Sequence, residues 1–241
     1  MTLVFASPTY GPIDPQAAIS HRMAIMHAAA NGHRWLGDVS PDRMGWDGAR
    51  NRIVEEVLRD PDPPDAVFWA DSDVVLPPHA ITSLAAQERP FISGLYVQRR
   101  EPYMPHVYIF DPAGGTDGQG SFRGIVEWPD QAVIPVDAVG FGCVLTAVSM
   151  LRAIPPPHFA WGRFGEDFDL CRKAARAGFQ PCVHTGVLCG HLQDPIPATL
   201  DDFRRAWKDW HMTPVTPPGM GSGTGLWTGP GTGGSQDGKN V

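Results

Sequence analysis

Two aspartates, one residue apart, follow the most apolar strand-like segment of the chain. Asp71 and Asp73 come directly after residues 65–70, which spell DAVFWA. Carboxylate oxygens at a strand end can hold a hard divalent cation while a diphosphate supplies further ligands. A solvated turn after a strand would carry the same residues. The spacing recurs at Asp60/Asp62 and at Asp167/Asp169, but only Asp71 and Asp73 follow a strongly apolar strand. We therefore predict a metal site there.

A histidine follows the last predicted strand, residues 180–189, after one intervening glycine. A neutral imidazole at His191 could complete a cation shell at the same edge of a sheet. A lone histidine is more often a surface or hydrogen-bonded residue, so both interpretations stay open on this signal alone.

Two adjacent acids, Glu166 and Asp167, follow Gly165 at the predicted start of a helix. The helix dipole alone favours acidic residues there. The functional alternative is that one carboxylate faces a cleft as a general base toward a hydroxyl, while the other caps the helix or orients a neighbour. We predict Asp167 as the base, because Gly165 permits a tight turn and adjacent helical residues do not share a face.

Other candidate ligand contacts are weaker. Gly140 and Gly142 interrupt the apolar residues 136–148, which suits a strand passing close to a ligand such as a sugar. Trp161 could stack on a sugar or a base, or it could lie in the core. Two basic clusters, Gln98–Arg100 and Arg204/Arg205/Lys208, favour solvated faces or contact with the phosphates of a donor or of DNA.

The elements that must position these residues alternate along the chain. Apolar runs predict strands at residues 3–7, 65–70, 91–96, 136–148 and 180–189, and helices are predicted to begin at Pro15, Trp46, Pro77 and Glu166. We expect the first helix to bury Ile19, Met23, Met26 and Ala30. We expect the second to bury Ile53, Val54, Val57 and Leu58, and the glycine-rich residues 111–124 to form a mobile loop. The alternation indicates an α/β fold with a central, mainly parallel sheet flanked by helices.

Length and composition set the outer limits. A chain of 241 residues suits one α/β domain, which we place at residues 1–212. Residues 213–241 are rich in glycine and proline, so we expect a disordered tail. The net charge of −7 argues against a general affinity for duplex nucleic acid, although a local basic patch is compatible with it. Without a signal-peptide pattern or a membrane-length apolar run, we expect a cytoplasmic protein with no membrane insertion.

In combination, these motifs resemble the glycosyltransferases of GT-A fold related to family 2, in the compact form often found in bacteriophages and bacteria. The resemblance covers roughly residues 2–195 and follows the family's order. The matching residues are Ser7-Pro8-Thr9-Tyr10, Ala49-Arg50-Asn51, Asp71-Ser72-Asp73, Gly140-Phe141-Gly142, Gly165-Glu166-Asp167 with Leu170-Cys171, and His191.

This resemblance implies a Rossmann-like domain that moves a sugar from a nucleotide-sugar donor to a hydroxyl of a soluble acceptor, with inversion at the anomeric carbon. It assigns nucleotide contacts to Pro8, Thr9 and Tyr10, and contact with the nucleotide or its diphosphate to Arg50 and Asn51. It implies that Asp73 binds Mn²⁺ or Mg²⁺ directly, that Asp71 contacts the ribose, or the cation through water, and that His191 is a further ligand. It assigns the catalytic base to Asp167.

The chain departs from the longer family members by lacking their membrane spans and their Gln-x-x-Arg-Trp motif, so the acceptor does not follow from them. Modified DNA, a protein or a glycan all remain open. A nucleotidyltransferase is an alternative, although it would usually carry a basic glycine-rich loop after the first strand, where this chain has Ser7–Pro12 without Lys or Arg. A non-catalytic module that binds nucleotide sugars is a second alternative.

Overall fold

The computed structural model describes residues 1–208, apart from residues 10, 42, 117, 194 and 195, together with the backbone of residues 226 and 227. The strands are β1 (Thr2–Ala6), β2 (Arg34–Val39), β3 (Ala66–Ala70), β4 (Val74–Val75), β5 (Phe91–Leu95), β6 (Val107–Asp111), β7 (Ser121–Ile125), β8 (Val133–Pro135), β9 (Ala138–Val139), β10 (Cys143–Ala147), β11 (Cys182–Leu188), β12 (Gly190–Gln193), β13 (Ile196–Ala198) and β14 (Leu226–Trp227). The helices are α1 (Pro15–Ala30), α2 (Trp46–Arg59), α3 (Ala80–Ala85), α4 (Val148–Ala153), α5 (Glu166–Arg176) and α6 (Leu200–Trp207).

Seven strands form the central sheet, in the order β2-β1-β3-β10-β5-β11-β8. All run in one direction except β10 and β8, which pair antiparallel with their neighbours. Every residue of β3 is buried, because side chains on both faces of this strand meet a helical layer. The predicted α/β architecture, with a central, mainly parallel sheet flanked by helices, is confirmed.

The two faces of the sheet bury separate cores. Val67 and Trp69 point into a core shared with α2, α4, α5 and α6, while Phe68 points into a second core shared with α1 and α3. This division follows from the period of two along a strand. On α2 the predicted stripe is largely confirmed, since Ile53, Val54 and Val57 are fully buried; the same helix also buries Ala49 and Arg50.

The prediction for the buried face of α1 is wrong. Ile19, Met23 and Met26 are exposed, and the helix buries Ala17, Ser20, His21, Ala24 and Ala28 instead. The small residues let the helix approach the sheet and α3 closely, which the larger side chains would prevent.

The two polar residues on this face of α1 bond the chain that follows Asp73. His21 Nε2 donates to the carbonyl of Val74 at 2.9 Å, and Ser20 Oγ accepts from the backbone N–H of Leu76 at 3.0 Å. Burial lowers the pKa of His21, so its ring is a neutral donor to that carbonyl. The hydrophobic pattern could not predict which face of α1 is buried, because the hydrogen bonds of Ser20 and His21 determine that face.

Residues 111–124 are not wholly a loop. β6 and β7 pair antiparallel, with Phe110 opposite Phe122, and only residues 112–120 connect them. The ring of Phe122 packs on Phe168 of α5 with centroids 4.6 Å apart. These aromatic contacts anchor a hairpin whose glycine-rich turn obscured it in the sequence. β9 and β14 extend the same sheet in the order β14-β7-β6-β9.

Two further predictions concern the strand over residues 136–148 and the tail over residues 213–241. Residues 136–148 form two strands, β9 and β10, separated by residues 140–142 rather than one continuous strand. The predicted tail lies outside the described residues, except that Leu226–Trp227 pairs with Gly124 and Ile125 of β7. No helix within the described ranges is long and apolar enough to cross a membrane.

The corrected face of α1 yields a stability test. Ala24→Leu forces a larger side chain into a fully buried position, so we expect the free energy of unfolding in urea to fall by about 1–3 kcal/mol. Met23→Ala, one residue away and exposed, should change it by less than about 0.5 kcal/mol. A larger loss for Met23→Ala than for Ala24→Leu would instead support the originally predicted buried face of α1.

Candidate active site

A cleft of about 480 Å³ opens at the edge of the central sheet where β1 and β3 end. These strands are parallel neighbours, so their carboxyl ends meet there, at the place where open α/β sheets bind ligands. The predicted site residues that line the cleft are Pro8, Arg50, Asp71, Asp73, Trp161, Glu166, Asp167 and His191. The fold therefore brings together acids that lie almost 100 positions apart in the sequence.

The guanidinium of Arg50 lies beneath the cleft and binds three carboxylates. Nη2 donates to Asp71 at 2.9 Å, and Nη1 donates to Glu166 at 2.5 Å and to Asp167. The residue is only 3% exposed. In this structure its guanidinium contacts carboxylates, and its contact with a nucleotide stays a prediction.

Arg50 is a permanent cation in this position. Burial alone would lower the pKa of its guanidinium, but the charges of Asp167, Asp71 and Glu166 outweigh burial and raise that pKa above its ordinary value. The rings of Phe141 and Phe159 lie 5.3 and 5.8 Å from the guanidinium carbon. Aromatic faces favour a cation at this distance while they exclude water from it.

Asp167 is the acid in this cluster that also reaches the cleft. One oxygen accepts from Arg50, the other accepts from the backbone N–H of Phe141 at 3.3 Å, and the side chain is 22% exposed. Burial raises the pKa of Asp167 to about 7; Arg50 opposes this rise, and the charges of Glu166 and Asp71 add to it. The helix dipole, which we expected to favour the ionised form, is therefore outweighed. A carboxylate with a pKa near 7 suits a general base at neutral pH.

A small second sheet, β4-β12-β13, brings Asp73 to His191. Val74 pairs with His191 across β4 and β12, and the backbone N–H of Leu192 donates to the carbonyl of Asp73 at 2.8 Å. This pairing places His191 Nε2 3.6 Å from Asp73 Oδ2. That separation is too long for a hydrogen bond.

The orientation of His191 fits a metal ligand. Its Nδ1 donates to the carbonyl of Val97 at 2.8 Å, so in the neutral ring Nε2 carries the lone pair that faces Asp73. A backbone carbonyl that fixes the tautomer in this way is a common partner of metal-binding histidines. Asp73 also accepts from Arg99 at 2.9 Å, an ion pair at the cleft surface.

Asp71 does not join that pair, because its side chain is bonded to Arg50. Within the described part of the chain, no group of three or more His, Cys, Asp or Glu side chains is placed to hold one metal ion. Asp73 and His191 offer two protein ligands, so a cation here would take its remaining ligands from water or from a diphosphate.

Gly140 and Gly142 make room for a protein side chain rather than for a ligand. A Cβ at Gly140 would lie 2.2 Å from the hydroxyl oxygen of Tyr96, and one at Gly142 would lie 2.8 Å from a carbon of the same ring. The Tyr96 hydroxyl accepts from the backbone N–H of Gly142 at 3.0 Å. These glycines therefore shape the wall of the cleft through Tyr96.

The remaining predicted contacts differ in position. Asn51 clamps the chain at Phe159, donating to its carbonyl at 2.7 Å and accepting from its N–H at 3.0 Å, and so faces away from the cleft. Thr9 is buried at the end of β1, where its backbone bonds Pro41 and Arg43. Tyr10 lies outside the described residues.

Six aromatic residues of the cleft were not predicted as site residues: Trp46, Tyr96, His106, Tyr108, Phe164 and Phe168. Tyr96 was assigned only as the last residue of a strand, a position that could have marked it. His106 stacks on Tyr96 with centroids 4.6 Å apart, and burial followed by the charge of His191 lowers its pKa to about 3. Nothing in the local sequence distinguishes His106 or Trp46 from surface residues.

Comparison with known proteins supports the fold. No protein-family model matches the chain, and no curated protein matches it by sequence. The crystal structure of A197 from STIV is similar with a TM-score of 0.56 and 16% identity, over 84% of this chain and 92% of that one. At this identity the likeness shows a shared fold.

Two more distant solved structures are too dissimilar to carry a functional comparison. GalNAc-T7 with UDP, GalNAc and Mn²⁺ has a TM-score of 0.45 and 11% identity, over 86% of this chain and 48% of that one. A protein assigned as a glucose-1-phosphate thymidylyltransferase from Bacillus anthracis, in complex with a sucrose, has a TM-score of 0.43 and 7% identity, over 86% and 94%.

The Arg50 cluster can be tested by stability. We expect Arg50→Met to lower the free energy of unfolding by about 3–5 kcal/mol, because it leaves three carboxylates without their buried cation. The loss should be larger at pH 8 than at pH 5, since the unpaired acids bind protons more tightly in the folded state and lose them as the pH rises.

Arg52→Met is the matched control on the same helix. Arg52 is half-exposed and pairs with Glu56 at 2.7 Å, so its loss should cost no more than about 0.5 kcal/mol. A cost for Arg50→Met that is equally small, or independent of pH, would contradict the assigned role.

Proposed function

We propose that the chain is a metal-dependent glycosyltransferase related to family 2, which moves a sugar from a nucleotide-sugar donor to a hydroxyl of an acceptor with inversion. The observation that carries this proposal is a single cleft that holds both an Asp73/His191 pair and a carboxylate, Asp167, whose pKa is about 7. The first pair suits a cation that binds a diphosphate, and the second group suits the removal of a proton from a hydroxyl.

Asp73 and His191 are the residues that would hold Mn²⁺ or Mg²⁺. Their donor atoms face each other, and the Val97 carbonyl fixes the histidine tautomer. When bound, the cation would offset the charge of the departing diphosphate. Arg99, released from Asp73, would then be free to contact a phosphate. Asp71 would act beside the cation rather than on it, because it stays with Arg50.

The transfer step assigned to this cleft is a single displacement. The acceptor oxygen forms a bond to the anomeric carbon as the bond to the diphosphate breaks, and the hydroxyl proton moves to a carboxylate oxygen of Asp167. The nucleoside diphosphate leaves with the electron pair of the broken bond. Arg50 and the N–H of Phe141 hold Asp167 in place during this step.

The nucleotide would lie over the ends of β1 and β3, where Pro8, Gly11 and Ser72 line the cleft. Thr9 would support this end through its backbone, and Tyr10 remains a predicted contact. A domain over residues 1–212 contains all of these groups. A nucleotidyltransferase whose nucleophile is a phosphate would have no hydroxyl proton to remove, so Asp167 favours sugar transfer.

The metal assignment is tested by binding and by hydrolysis. Nucleoside diphosphates and nucleotide sugars should raise the Tm in the presence of Mn²⁺ and not after EDTA treatment. The same donor should be hydrolysed slowly without acceptor, which a binding module would not do. Asp73→Ala and His191→Ala should abolish the Mn²⁺-dependent shift, while the exposed Asp60→Ala should leave it intact. Full activity in EDTA would refute the metal site.

The catalytic base is tested by its pH dependence. Since Asp167 must be ionised to accept a proton, kcat/KM should fall as the pH drops below about 7, in line with its raised pKa. Asp167→Asn should lower kcat by about 10²–10⁴-fold and remove this dependence, with donor affinity nearly unchanged. Glu166→Gln is the neighbouring control. If Glu166→Gln is inactive while Asp167→Asn turns over normally, the base is Glu166.

A further inference from the structure

Two tryptophans form an exposed corner at the rim of the cleft. Trp46 is 55% exposed and Trp161 is 66% exposed, although both line the same cleft as Asp167. Their ring centroids are 6.4 Å apart and their planes meet at 71°. Large apolar rings left in water beside a polar cleft mark a binding surface, because covering them is favourable.

Trp161 lies against Gly165, two residues before the proposed base Asp167. A Cβ at Gly165 would be 3.2 Å from a ring carbon of Trp161, so the indole packs against the residue just before α5. Gly165 has a φ of 98°, a conformation that glycine adopts without strain. Glu166 and Asp167 follow at once. A ring resting on this indole would therefore carry its substituents toward the carboxylate that accepts the proton.

The charge of the cleft favours an uncharged ring. Its lining holds four carboxylates, those of Asp71, Asp73, Glu166 and Asp167, against the two guanidiniums of Arg50 and Arg99. Both guanidiniums are paired with these acids. The arginine between Trp161 and Asp167, Arg163, lies over the ring of Phe164 at 4.9 Å. A nucleic-acid acceptor would add its own phosphates to those of the donor in this acidic setting, where their neutralisation is needed for affinity.

From these observations we propose that Trp46 and Trp161 form the acceptor subsite, and that the acceptor group is a neutral sugar residue of a glycan. The apolar face of a pyranose ring suits an indole, while its hydroxyls face water and the acids. This inference rests on the proposed function for the identity of Asp167 as the base. It narrows the acceptor from DNA, protein or glycan to glycan.

The experiment is a titration of tryptophan fluorescence in the full-length protein. The probes are maltohexaose, cellohexaose and chitohexaose, with a single-stranded oligodeoxynucleotide as the charged comparison. We expect at least one oligosaccharide to bind, and Trp46→Ala and Trp161→Ala each to raise its Kd by about tenfold, as loss of one stacking partner does.

Trp35→Ala is the matched control. Trp35 is 46% exposed, but it lies on β2, at the edge of the central sheet, and is not part of the cleft lining. Its substitution should leave the Kd unchanged. Binding that is lost equally in Trp35→Ala, or that survives in both cleft variants, would overturn the subsite.

The remaining outcomes separate this inference from the proposed function. Donor hydrolysis without binding of any of the three oligosaccharides would overturn the glycan subsite and leave the transferase standing. Binding of the oligonucleotide alone, lost in Trp161→Ala, would overturn the neutral-sugar assignment in favour of nucleic acid. Oligosaccharide binding through both tryptophans, without hydrolysis of any donor, would support the subsite and refute the transferase.

Discussion

The geometry of the site depends on the buried guanidinium of Arg50. It joins three segments that are distant in sequence: α2, the turn after β3 and the start of α5. Three carboxylates close together and partly buried would repel one another, and the cation at their centre offsets this repulsion. Arginine suits this position better than lysine because its planar fork can direct separate N–H groups at separate acids.

This arrangement also divides the acids by function. Burial raises the pKa of Asp167 to about 7, and the charges of Glu166 and Asp71, which one guanidinium cannot fully neutralise, add to this rise. Asp71 and Glu166 serve as the structural partners of Arg50. Asp73 lies beyond them and turns toward His191. Two aspartates one residue apart thus take different roles, because the chain turns between β3 and β4 and each finds a different partner.

The sequence was informative where a signal is local. β3, α2 and the acids at the start of α5 follow from an apolar run, an apolar stripe and a helix-start pattern, and the structure has each of them. Predictions from the sequence were wrong where contacts with distant residues determine which side chains are buried. Ser20 and His21 are buried because they bond the chain after Asp73, and Gly140 is small because Tyr96 fills its space. Such bonds join positions about 45 or more residues apart, which no periodicity reveals.

The stacked rings of Tyr96 and His106 lie between the Arg50 cluster and the Asp73/His191 pair. The charge of His106 would affect any cation bound at that pair. Tyr96 bonds Gly142 beside the Arg50 cluster, and its ring lies 5.4 Å from that of His191 on the other side. His106 covers the opposite part of this wall, stacked on Tyr96, and its lowered pKa keeps it uncharged at neutral pH. A protonated ring there would repel a divalent cation at Asp73 and His191. Burial of His106 therefore keeps this wall of aromatic rings uncharged beside the proposed cation site.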